Sequence, residues 1–74
     1  MNLYNRWFMR ASGEKQHQPR STAEAVTYSF LDWLINNNLW KPAFGRMTDE
    51  HIGEEVDRIC EQVQSDLDNR PAGA

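Results

Sequence analysis

From Thr48 to Asp68 the apolar residues fall at Ile52, Val56, Ile59, Cys60, Val63 and Leu67, at spacings of 4, 3, 1, 3 and 4. That is the repeat of an α-helix burying one face. Thr48 is placed to cap it, with Asp49 and Glu50 in the first turn, where the helix dipole favours anions. Met47 and Ile52 are placed as a hydrophobic staple. Gly53 gives up ~1 kcal/mol relative to alanine inside a helix, so its presence predicts close approach of another backbone, that of the Trp40–Phe44 loop.

A second helix is predicted from Ser21 to about Asn37. Ser21-Thr22-Ala23-Glu24 fits a capping box, Ser21 accepting from the Glu24 amide and the Glu24 carboxylate reaching back to the Ser21 amide. Ala23, Val26, Phe30, Trp33 and Leu34 form one apolar stripe, and Tyr28, Leu31 and Ile35 a second beside it. A helix apolar on that much of its surface is central in its fold or shared with a partner. Asn36-Asn37-Asn38 ends it, because asparagine tolerates the left-handed backbone of a helix terminus.

Leu3, Tyr4, Trp7, Phe8 and Ala11 share helical spacing and predict a short helix over residues 2–11, which must dock its aromatics to persist. Residues 12–20 are polar, contain Gly13 and Pro19, and read as a linker or mobile loop with His17 solvated. Residues 39–47 are apolar for a connection. Pro42 is expected to keep Lys41 out of the helical region, and Leu39, Trp40, Phe44 and Met47 to pack over the open end of a hairpin. The predicted fold is all-α: a short N-terminal helix, a loop, then an antiparallel two-helix hairpin, together a small three-helix bundle. It forms one domain over residues 1–68, followed by a disordered tail over 69–74.

Charge changes this picture. The net charge of −3 conceals a segment, 48–68, with eight acids against Arg58 alone, while residues 1–20 carry Arg6, Arg10, Lys15 and Arg20 against Glu14. A segment of −7 is a poor match for phosphate or an anionic membrane. The simplest arrangement sets the basic N-terminal part against the acidic helix, in the same chain or a second copy. Seventy-four residues give a marginal core, and the single Cys60 excludes an intrachain disulfide. A partner chain is the expected stabiliser. A lone cysteine, arginines interrupting the N-terminal apolar residues and the lack of a ~20-residue apolar run make a cytoplasmic protein the expectation.

Chemistry finds little support. His51 with Glu54 and Glu55 shares a helix face, but a metal needs three or four converging ligands and Cys60 lies on the opposite stripe, so a solvated face is the better reading. Cys60, flanked by Asp57 and Glu61, reads as a small buried hydrophobe. The acids lie on one convex helix and not across a cleft, which argues against acid–base catalysis. No catalytic residue, metal or cofactor is expected. Arg6, Trp7, Phe8 and Arg10 interleave bases with aromatics as single-stranded nucleic-acid platforms do, yet four bases without a groove are a weak footprint. An acidic last helix does not enter a major groove.

The eight aromatics are the better clue, being many for two helices, a third short one and a loop to bury. The expected function is therefore a protein–protein interaction module, an adaptor or inhibitor acting by surface occlusion, as a homodimer or on a larger partner. Tyr4, Trp7, Phe8, Tyr28, Leu31, Ile35 and Trp40 are the expected contact residues. The acidic face of Glu54, Glu55, Asp57 and Glu61 would steer and specify. Alternatively that face imitates a nucleic-acid backbone, and the short, motif-poor chain resembles phage or mobile-element accessory proteins that inhibit nucleic-acid-binding or defence complexes. A third reading binds nucleic acid through the basic N-terminus.

Overall fold

The computed structural model describes residues 1–69. Four helices follow one another: α1 Leu3–Ala11, α2 Thr22–Asn36, α3 Trp40–Phe44 and α4 Asp49–Asp68. The all-α hairpin architecture is as predicted, with α2 and α4 antiparallel and α1 laid across α4. From Arg70 onward the predicted tail lies outside the described residues. The radius of gyration is 13.0 Å, against about 11 Å for a compact chain of this length. The twenty residues of α4 outrun the fifteen of α2, which draws the molecule out.

Local chemistry sets each boundary. Ser21 Oγ accepts from the Glu24 amide at 3.1 Å and Thr48 Oγ1 from the His51 amide at 3.2 Å. Asn2 Oδ1 caps α1 by accepting from the Asn5 amide at 2.8 Å. The capping box at Ser21 is only half made: Glu24 Oε1 takes the Arg20 amide instead of that of Ser21. Asn38 ends α2 with a φ of 57°. The Leu39 amide bonds back to Leu34 O and the Asn38 amide to Ile35 O, which is a Schellman closure with asparagine in the left-handed position. Gly13, at a φ of 110°, ends α1 in the same way.

Pro42 does not hold Lys41 out of a helix. Both belong to α3, where Pro42 is the third residue. Its missing N–H falls among the donors that a first turn leaves unpaired anyway. This short helix makes the apolar connection into an aromatic lid. Trp40 stacks on Trp7 at 5.4 Å and on Tyr4 at 6.0 Å, and meets Phe44 edge-on at 4.9 Å.

The core comprises Leu3, Tyr4 and Trp7 of α1, Tyr28, Leu31 and Leu34 of α2, Phe44 of α3, and Ile52 and Val56 of α4. On α2 the buried stripe is Ala23, Thr27, Tyr28, Leu31 and Leu34, a register rotated from the apolar one. Thr27 is fully buried because its hydroxyl donates to Ala23 O at 2.8 Å, leaving its methyl to pack.

Gly53 does face a close neighbour, but it is the side chain of Asn2 and not the backbone of the Trp40–Phe44 loop. A Cβ there would overlap Asn2 Nδ2 and lie 3.2 Å from Asn2 Cγ. Asn2 cannot swing aside without uncapping α1. Gly53→Ala should therefore destabilise the protein despite the ~1 kcal/mol of helix propensity it gains. In an Asn2→Gly background, whose own loss is a few tenths of a kcal/mol, the same change should stabilise. Urea unfolding of the four proteins measures the coupling; an equal gain in both backgrounds would exclude the overlap.

Candidate interaction surface

The N-terminal bases are used inside the chain. Arg6 is only 8% exposed; its Nη1 donates to Glu24 Oε1 at 3.0 Å and its Nη2 to Gln18 O at 2.9 Å. Arg10 Nε donates to Gln18 Oε1 at 3.3 Å, and its guanidinium lies 5.6 Å from the Tyr28 ring centre. Tyr28 Oη donates to His17 O at 3.0 Å. The polar loop is thereby fastened to α1 and α2 at several points, and His17 is half-buried beside Glu14. The basic segment does lie against the acidic helix, α1 packing on α4, but its arginines make their ion pairs elsewhere within the chain. Among the described residues, Arg6 pairs with Glu24 of α2, and the one ion pair of α4 is Arg58 with its own Glu55.

Titration follows from this wiring. Burial pushes the Glu24 carboxyl up, but bonds from the Arg20 amide and the Arg6 guanidinium, with both arginine charges, outweigh it and hold it below its ordinary 4.5. Burial raises the Tyr28 phenol above its ordinary 10.0, against the opposing charge of Arg6. Burial and then the Asp49 carboxylate raise that of Tyr4. A lowered folded-state carboxyl adds stability above 4.5 that is lost as pH falls through the folded value. Glu24→Gln should thus unfold more easily than wild type at neutral pH and converge with it in acid. Thermal melts across that range check this, and a constant difference at all pH values would exclude the charge contribution.

The expected contact residues separate. Tyr4, Trp7, Tyr28 and Leu31 are buried in the chain's own core, Trp40 is half-buried, and only Phe8 and Ile35 are exposed. The reason is the register of α2: of the two apolar stripes, Tyr28 and Leu31 of the one expected to meet a partner turn inward, while Val26, Phe30 and Trp33 of the other turn outward. Phe30 is 39% and Trp33 51% exposed, and their rings stack at 6.2 Å. Beside them a shallow apolar groove of ≈ 270 Å³ runs between α2 and α4, lined by Val26, Thr27, Phe30, Ile59 and Val63.

This outer face of α2 carries no charge. Its exposed residues are Thr22, Val26, Ser29, Phe30, Trp33 and Asn36, while Ile35, also exposed, lies on the other side of the helix beside Trp40. The helix's two acids face α1, Glu24 held by Arg6 and Asp32 accepting from Trp7 Nε1 at 2.9 Å. Residues on the far side of α4 differ. Glu50, Glu54, Asp57 and Glu61 are exposed at helical spacing, whereas Glu55 lies off this ridge, toward α2, by register.

A larger cleft of ≈ 560 Å³, of mixed polar and apolar lining, opens where Asn2, Leu3, Arg6, Glu24, Asp57 and Cys60 meet. Among the described residues no buried side-chain nitrogen or oxygen lacks a hydrogen-bond partner. Among the described residues, no group of three or more His, Cys, Asp or Glu could hold a metal, and no helix is long and apolar enough to cross a membrane. Comparison with protein-family models, curated proteins and solved structures finds no match.

Proposed function

We propose that this protein acts by covering a surface of another protein molecule, as an adaptor or inhibitor without chemistry of its own. The observation that carries the proposal is the Phe30–Trp33 pair, held exposed on an uncharged helix face. Aromatic residues gathered where charges are depleted are the composition of an interface centre. A cytoplasmic setting suits the single free thiol, Cys60.

The test is affinity capture with mass spectrometry, comparing wild type with a Phe30→Ser/Trp33→Ser variant whose helicity is checked by circular dichroism. A set of partners recovered by wild type and lost by the variant is expected. An unchanged set would overturn the reading.

The exposed ridge Glu50, Glu54, Asp57 and Glu61 favours a second reading, in which α4 stands in for a nucleic-acid backbone before a basic channel. Glu54→Gln/Asp57→Asn/Glu61→Gln would then lose a salt-sensitive partner that the Phe30/Trp33 variant keeps. No observation favours nucleic-acid binding by the N-terminus, since Arg6 and Trp7 are consumed in packing.

A further inference from the structure

We propose that the occupant of α2's outer face is a second copy of this chain, packed against the same face about a twofold axis. The proposal rests on the surface reading above and names its partner. In a twofold contact each patch meets itself, so a charge near the axis would face its own like. The outer face of α2 meets this requirement along its whole length: no exposed residue from Thr22 to Asn37 is charged.

Of the charges flanking the groove, one pair is matched and one carboxylate is hydrogen-bonded. Glu55 pairs with Arg58, and Asp66 Oδ1 accepts from Gln62 Nε2 at 3.0 Å. The acidic ridge of α4 lies on the other side of that helix. A contact through α2 therefore keeps the two ridges apart, whereas a contact through α4 would set like charges together. The chain cannot approach itself along α4, and it can along α2.

Area agrees with a weak pair. A fifteen-residue helix is roughly 22 Å long, and with the adjoining groove two such faces cover on the order of 1,000 Å². That is the lower edge of specific interfaces and points to dissociation in the micromolar range. Phe30 and Trp33, rigid and half-exposed beforehand, would supply most of the attraction at little ordering entropy.

Sedimentation equilibrium on the full chain tests this from the micromolar to the submillimolar range. Wild type should climb from monomer to dimer mass. Trp33→Glu, which sets two carboxylates near the axis, should remain monomeric throughout while keeping its helical circular dichroism; Val26→Glu serves as a second variant should the first unfold. A wild type that is monomeric at every concentration overturns the proposal, as does a charged, folded variant that dimerises equally. The two readings fail differently. A monomeric wild type whose Trp33→Glu variant loses a captured partner removes the second copy but leaves the surface, while monomers with unchanged capture remove both.

Discussion

Leu31→Ala should remove a large share of the protein's stability. Leu31 is 0% exposed and sits in the cluster that joins α1, α2, α3 and α4. Truncating such a leucine removes its transfer energy and leaves a cavity, a loss of about 2–5 kcal/mol. A domain of this length holds only about 4–11 kcal/mol in total. The loss should appear in urea denaturation as a lower midpoint with an unchanged slope, because the surface exposed on unfolding is the same. A midpoint shifted by less than the equivalent of about 1 kcal/mol would place Leu31 outside the core.

Trp7→Ala should be as damaging, at about 3–5 kcal/mol. The indole fills the seam between α1 and α3, stacked on Trp40 at 5.4 Å and on Tyr4 at 6.1 Å, and its Nε1 donates to Asp32. Alanine removes the stack and the donor together. Trp7→Phe separates them: it keeps most of the packing and loses only the bond to Asp32, a half-buried carboxylate that water can then reach. The phenylalanine variant should lose about 1 kcal/mol, a net hydrogen bond. Equal losses in the two variants would mean that the bond to Asp32, and not the stack, fastens α1. Near-ultraviolet circular dichroism should weaken in the alanine variant as Trp40 and Tyr4 lose their neighbour.

The helices and their caps were legible because they depend on neighbours in sequence: Ser21 and Thr48 accept from amides three residues on, and Asn38 takes the left-handed turn for which asparagine is suited. The rotation of α2 was not. Counting apolar letters gives two stripes, through Val26, Phe30 and Trp33 and through Tyr28, Leu31 and Ile35, and does not say which is inside; Ala23, Thr27, Leu31 and Leu34 share helical spacing too. Thr27 passes for polar until its hydroxyl is bonded to the preceding turn. With Thr27 admitted to the core, the buried stripe is fixed and Phe30 and Trp33 fall on the surface.

Arg6 was placed inside the fold by charge alone, but its partners were not. Charge pointed to the acidic helix, whereas its two partners, Glu24 and Gln18 O, lie 18 and 12 residues away. Such closure depends on the tertiary path of the loop. The α3 turn was hidden by the rule that a residue before proline avoids helical backbone, which the first turn of a short helix can set aside.

These displacements leave one division on which the functional proposal stands: Leu31 and Trp7 hold the fold together, and Trp33 is spare. The deciding measurement is urea unfolding of wild type and Trp33→Glu, each at low and at high protein concentration. At low concentration the two should agree to within about 1 kcal/mol, as surface substitutions do, and only wild type should gain stability on concentration. A dilute Trp33→Glu protein that loses several kcal/mol, as Leu31→Ala should, would return Trp33 to the core and contradict the proposed surface.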